Sequence, residues 1–172
     1  MSEYDPSEPL HAVKYRVNLS VRYHRMRERF LALCDNGAKA CALIASTAAF
    51  HALANESGNT YWSYAVIALF TFPSLLSLAF SLSTVARRHA ELAQKFLQLE
   101  ADILAKDFWD VSPEDINRWE SALRIIEISE PPALSYLVRI CQNQIAEFEN
   151  QPDKIVKLNP LKKAFAQVFS FS

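Results

Sequence analysis

Ser74, Ser77, Ser81 and Thr84 follow one another at spacings of 3, 4 and 3 inside an otherwise apolar stretch. On an α-helix that rhythm sets four hydroxyls along one side. Hydroxyl groups in an apolar helix do one of two jobs. In an oligomer they solvate water or an ion moving along the stripe. Otherwise they bond to carbonyls of their own helix or join it to a neighbour. Sequence leaves both readings open. Pro73 precedes the stripe and removes one backbone donor, so a kink is expected there.

The other reactive side chains form no recognisable centre. His11, His24, His51 and His89 do not fall at metal-ligand spacings. Asp107/Asp110 and Glu114/Asp115 stand at helix ends, where capping is their ordinary role. Glu127 and Glu130 flank a proline break, with no nucleophile or base nearby in sequence. Glycine occurs only at positions 37 and 58, which excludes a phosphate-cradling Walker loop and a dinucleotide fingerprint. H-E-x-x-H, G-x-S-x-G and the kinase signatures are absent. An enzyme is therefore not expected, and neither is a cofactor or a nucleic-acid partner. Cys34, Cys41 and Cys141 are odd in number and lack C-x-x-C spacing, so they read as ordinary buried thiols facing a reducing compartment.

The elements that position the hydroxyl stripe begin with a charge pattern. From Ala40 to Ala86 there is no Lys or Arg. A polar hexad, Asn55-Glu56-Ser57-Gly58-Asn59-Thr60, divides this region into two apolar segments, 38–54 and 61–86. The second has 26 uncharged residues. As one helix it would be about 39 Å long, enough to cross a hydrocarbon core of about 30 Å with tilt. The first is near the short end of the spanning range and reads as its partner in a helical hairpin. It is rich in small residues, and Ala42, Ala45, Ala49 and Ala52 recur at helical spacing to permit close backbone approach in lipid.

Lys14, Arg16, Arg22, Arg25, Arg27, Arg29 and Lys39 precede the hairpin, and Arg87, Arg88 and Lys95 follow it. Under the positive-inside rule both termini are cytoplasmic and the turn lies on the far side. Tyr61, Trp62 and Tyr64 then sit at the outer aromatic belt. Arg22, Arg25, Arg29, Lys39, Arg87 and Arg88 fix this topology or meet anionic lipid headgroups, a contribution of roughly 1 kcal/mol per basic residue near the surface. No cleavable signal peptide is expected, because the charged arm before the first apolar run is too long.

The flanks read as helix. Residues 1–36 form a basic N-terminal arm in which Tyr15, Leu19, Tyr23, Met26, Phe30 and Leu33 make one apolar stripe. Leading into the helical region 87–150, Val85, Leu92 and Leu99 repeat every seven residues beside Phe96 and Ile103, which fits either a coiled coil or packing on the N-terminal arm. Ser112-Pro113-Glu114-Asp115 starts a helix with Ile116, Trp119, Leu123 and Ile126 on its apolar face. After the break at Ser129–Pro132 another follows, with Leu134, Leu137, Cys141, Ile145 and Phe148 on one side. Residues 151–172 form a linker and a tail in which Leu161, Phe165, Val168 and Phe169 accompany Lys162 and Lys163. The tail either lies in the membrane interface or covers the helical domain.

The fold class expected is an all-α integral membrane protein: a two-span hairpin at 37–86 whose helices extend into a small cytoplasmic bundle. This order of parts resembles the SLATT family, two-transmembrane effectors associated with bacterial nucleotide-signalling defence systems. Lys14-Tyr15-Arg16, Arg22-Tyr23-His24 and the stretch from Arg124 to Glu130 (RIIEISE) also resemble small membrane proteins of bacterial prophages. The resemblance implies homo-oligomerisation and permeabilisation of the bacterial inner membrane on a signal, with no catalytic residues. With no nucleotide-sensor sequence in these 172 residues, the trigger is expected in a separate protein or in the membrane itself. The alternative is a membrane-anchored interaction protein whose cytoplasmic helices bind a protein partner. For the topology, a reporter fused after Ser172 should be cytoplasmic, and Asn59→Cys should label from outside intact cells. Labelling only after membrane disruption would reverse the orientation.

Overall fold

A computed structural model of the chain describes residues 6–54 and 60–169. Its elements are α1 (Ser7–Ala54), α2 (Thr60–Ala79), α3 (Leu82–Leu104), α4 (Pro113–Ile128), α5 (Ser135–Phe148) and α6 (Pro160–Phe165). Single 3₁₀ turns occur at Phe108–Asp110 and Pro152–Lys154, and no strand occurs among the described residues. The all-α expectation therefore holds. The polar hexad lies outside the described residues except for Thr60, whose backbone begins α2.

Two compact units emerge. One combines Met1–Arg27 with His89–Ser172, and the other is Glu28–Arg88. These boundaries cut inside the N-terminal arm rather than at 36/37. α1 itself is a single 48-residue helix that passes Gly37 without interruption. No neighbouring atom lies within 4 Å of where a Gly37 side chain would begin, so that glycine marks neither a turn nor a close approach.

The helical unit is built on the first turns of α1, which carry two apolar stripes rather than one. Leu10, Val13 and Val17 meet Phe96, Leu99 and Ile103 of α3, together with Ile116, Trp119 and Leu123 of α4. On another side, Tyr23, with Leu19 and Met26 packed against it, meets Tyr136, Leu137, Ile140 and Cys141 of α5 and Ala166 of the tail. The expected 15–33 stripe is thus right for Leu19, Tyr23 and Met26, whereas Leu33 is exposed. Within the repeat region of α3, Phe96, Leu99 and Ile103 pack on α1 and α4 of the same chain. The tail covers this unit through Ala166, while Leu161, Phe165, Val168 and Phe169 remain exposed.

Local chemistry fixes the ends of α4 and α5. Ser112 and Asp115 form a reciprocal capping box: the Asp115 N–H donates to Ser112 Oγ at 3.2 Å, and the Ser112 N–H donates to Asp115 Oδ2 at 3.0 Å. Tyr23 then holds the start of α5, its hydroxyl oxygen accepting the Leu134 N–H at 3.1 Å. Only one thiol matches the expected buried state. Cys141 is fully buried and burial pushes it up to about 11, against the opposing charge of Arg22, while Cys34 and Cys41 are half-buried.

The hairpin unit departs from the sequence reading in one important respect. A single helix over 61–86 was expected, but α2 ends at Ala79 and α3 begins at Leu82. Ser81 has φ 47°, in the left-handed region that a residue with a side chain rarely adopts. The Phe80 and Ser81 N–H groups close the last turn of α2 on Leu76 O and Leu78 O at 3.0 and 3.2 Å. Ser81 O accepts from Thr84 N at 2.9 Å, opening α3. The bend across the break is 48°. No glycine or proline marks this position, so the sequence carries no conventional break signal. Pro73 lies within α2, which continues past it.

No single helix among the described residues is long and apolar enough to cross a membrane. By length and composition alone, the bent pair Tyr64–Ala79 with Leu82–Leu104 fits either a broken span or a re-entrant loop.

The capping box generates a pH prediction. Lys106 first, then the Ser112 amide and hydroxyl, hold the Asp115 carboxyl far below the usual carboxylate range, against the opposing effect of burial. In the unfolded chain the group takes up its proton near the ordinary value of about 3.9. Its stabilising contribution is therefore complete above that pH and is lost as pH falls toward the folded value. Asp115→Asn should flatten this part of the acid-unfolding profile of α4 and lower stability at neutral pH. An acid limb identical to wild type would show that the box does not govern it.

Candidate functional site: a polar cleft in the hairpin

Within the hairpin unit, α1 and α2 enclose the polar groups that the sequence scatters. Asp35 is 7% exposed and Ser77 is 9% exposed, although both are polar. Ser77 Oγ–H donates to Asp35 Oδ1 at 2.8 Å, and Lys39 Nζ donates to Asp35 Oδ2 at 2.6 Å across one helical turn. Ser74 Oγ–H donates to the Ala38 carbonyl at 2.8 Å, a side-chain tie from α2 to the backbone of α1. The site thus holds a carboxylate compensated by an ammonium and a hydroxyl.

Around this triad lies a cleft of about 400 Å³. Asp35, Ala38, Lys39 and Ala42 form its α1 side, and Ser74, Ser77, Leu78, Ser81, Ser83 and Thr84 form the other. All four residues of the hydroxyl stripe therefore line one space. Ser81 supplies the bend that separates α2 from α3 as well as a hydroxyl at the cleft. A second gap, about 250 Å³, is bounded by Ala42, Ala45, Ser46 and Ala49 facing Ile67, Thr71 and Ser74.

Ala42, Ala45 and Ala49 of the small-residue face border Ile67, Thr71 and Ser74 of α2 in the same chain. Ala38 and Ala45 are buried, while Ala42 and Ala49 are half-buried. The Ala52 side chain lies outside the described residues. The basic residues take separate positions. Lys39 joins the cleft, whereas Arg29, Arg87 and Arg88 are exposed. Arg22, in the helical unit, donates to Asn18 Oδ1 at 2.7 Å and lies 5.8 Å from the centre of the Phe148 ring. Arg25, in the same unit, is half-buried. His51 is exposed.

Asp35 is the site residue that the sequence reading missed. Its signal was present: an acid four residues before Lys39, at the mouth of a long segment without basic residues. That spacing reads equally as an ordinary surface ion pair, and only the tertiary contact with Ser77 distinguishes the two. No group of three or more His, Cys, Asp or Glu side chains among the described residues is placed to hold a metal ion. The cleft contains hydroxyls, one carboxylate and one ammonium, a set suited to holding water or small ions. No family model, curated protein or solved structure matches the chain.

Ser74→Ala removes a neutral hydrogen bond between helices and should destabilise the hairpin by about 0.5–1.5 kcal/mol. Ser77→Ala should cost more, because it strips one donor from a buried carboxylate. Thermal unfolding in micelles, followed by helical circular dichroism, ranks the two. A ranking with Ser74→Ala as the larger loss would make the carboxylate contact secondary.

Proposed function

We propose that the hairpin unit lies in a lipid bilayer, that copies of the chain assemble there, and that the assembly permeabilises the membrane through its polar cleft. The supporting observation is the inverted polarity of this unit. Leu43, Phe50, Leu69, Phe72, Leu78 and Phe80 are between 62% and 78% exposed, while Asp35 and Ser77 are buried. A water-facing surface favours the reverse arrangement, and a contiguous apolar exterior marks a lipid or protein environment. Tyr61, Trp62 and Tyr64, also exposed, match an interfacial belt at the start of α2. In this reading the bent pair is one crossing, the 38–54 stretch of α1 is the other, and the irregular backbone at Ser81 lies beside the cleft, where non-helical backbone within a membrane is tolerated.

In this reading the chain is an integral protein of the bacterial inner membrane with both termini cytoplasmic. Its partners are membrane lipid and further copies of itself, and the order of its parts resembles the SLATT effectors. A second reading has its own observation. Ser74 and Ser77 are already bonded to Ala38 and Asp35 of the same chain, as expected if the hydroxyls join the hairpin and the helical unit binds a cytoplasmic protein.

Induced expression with a membrane-potential dye separates the two. Wild type should depolarise cells rapidly. Combined Ser74→Ala, Ser77→Ala and Ser81→Ala should reduce that effect while insertion and assembly, checked by fractionation and crosslinking, persist. Undiminished potential with wild type present in the membrane favours the anchor, and full depolarisation by the triple variant removes the hydroxyls from the path.

A further inference from the structure

A second polar cluster lies in the core of the helical unit, unconnected to the cleft chemistry. His24 of α1 and His89 of α3 are 0% and 2% exposed, and their Nδ1 atoms are 2.8 Å apart. His24 Nε2 lies 3.1 Å from Glu130 Oε1, at the end of α4. The His24 ring stacks on Phe96, with centroids 5.7 Å apart and planes 12° from parallel. Tyr23 meets both imidazoles edge-on, at 5.3 and 6.2 Å. Two titratable rings therefore meet edge to edge through their Nδ1 atoms, with planes tilted by 36°, where α1, α3 and the α4–α5 turn converge.

A nitrogen–nitrogen distance of 2.8 Å holds one proton between two rings, one nitrogen donating and the other accepting. An ionised Glu130 accepts from His24 Nε2–H. That leaves His24 Nδ1 as the acceptor in the neutral pair, so His89 Nδ1–H donates to it. One added proton converts the pair to an imidazolium bonded to an imidazole, with Glu130 supplying the compensating charge. A second proton puts N–H groups on both Nδ1 atoms. Two donors then point at each other, and two like charges lie buried in contact. That state is incompatible with the geometry.

Two charged pairings of the same unit are formed away from the rings. Glu127 of α4 pairs with Arg16 of α1 at 2.8 Å, and Arg27 of α1 is held by the Gln167 carbonyl of the tail. From α5, Cys141 and Tyr136 are buried titratable groups of the adjoining core: the thiol is pushed up to about 11 and stays neutral, and the Tyr136 hydroxyl donates to the Asn159 carbonyl at 3.1 Å. The Tyr23 hydroxyl accepts the Leu134 N–H at 3.1 Å. His89 makes a further contact as well. The argument requires only the shared Nδ1–Nδ1 position.

We infer that His24 and His89 form a proton-operated latch between α1 and α3, closed with up to one added proton and opened by the second. The second proton comes from solvent, and each ring leaves the contact as an imidazolium free to be hydrated. Opening separates the α1 and α3 faces at this level and loosens the seat of the α4–α5 turn on His24. The latch gives the helical unit a response to acidification independent of any nucleotide ligand, and it holds whether the hairpin conducts or only anchors.

The test is hydrogen exchange on the full chain in nanodiscs at about pH 7.5 and about pH 5, on either side of the range where imidazole titrates. After correction for intrinsic exchange, wild-type amides from 89 to 99 should lose protection by about tenfold or more on acidification, as a local opening does. His89→Asn puts an amide donor where Nδ1–H stood and leaves one titratable ring. His24→Asn does the same from the other side, with its carbonyl as acceptor. Either variant, if folded at neutral pH, should keep most of its protection at acid pH. Equal acid loss in wild type and in the folded variant, or no loss in wild type, overturns the latch.

Discussion

The helical unit depends on one constraint: two faces of the same short stretch of α1 must be buried at once. Leu10, Val13 and Val17 are claimed by α3 and α4, while Tyr23, Leu19 and Met26 are claimed by α5 and the tail. A helix with one apolar stripe buries it against one layer. A second stripe forces the partners to surround α1. Side chains on the borders between the stripes are then enclosed whatever their chemistry. His24 follows Tyr23, and burial leaves it hydrogen-bond partners from two directions, His89 and Glu130. The polar latch is a consequence of this packing, since a buried imidazole without partners would carry a desolvation cost.

The hairpin unit solves the opposite problem. Its large apolar side chains face outward, so polar groups must find partners within the helix pair. Ser46 and Thr47 bond back to the Leu43 carbonyl at 2.8 and 2.9 Å, within their own helix. Ser74 and Ser77 reach across to α1, where small residues bring the backbone close enough for a serine to touch Ala38 O. A larger side chain at Ala38 or Ala42 would hold the helices apart and remove that reach. The alanine face and the serine stripe are therefore two halves of one device. The alanines set the separation, and the serines use it.

Much of the helical unit was legible because its signals are local. The apolar period of α4, the capping pair Ser112–Asp115 and the break before Pro131 depend on residues within a few positions of each other. Trp119, Leu123, Leu137 and Ile145 were placed in the core on that basis and are buried there. The second stripe of α1 was harder to read, because Val13 and Val17 lie among polar residues and gain meaning only from distant partners. The His24–His89 contact joins residues 65 apart and has no sequence signature at all. The break at Ser81 was missed for a different reason: serine is compatible with helix on both sides, and only the backbone reveals the left-handed residue.

That left-handed serine bears on how the cleft works. A non-glycine residue in this region costs roughly 1–2 kcal/mol, so the surrounding structure must compensate for it. Ser81 sits where α2 stops and the cleft opens, with Ser83 and Thr84 placed along the same space by the change in direction. Continuing α2 straight through Ser81 would preserve the hydroxyl spacing but lose this bent wall. The bend makes the four hydroxyls the lining of one open cleft instead of a stripe on a rod. An anchor gains nothing obvious from such a space, since Ser74 and Ser77 alone already tie the helices together. Ser81 and Thr84 are where the two functional readings part. In a purely structural hairpin their hydroxyls are incidental, whereas in a conducting assembly they continue the polar surface beyond the Asp35–Lys39 pair.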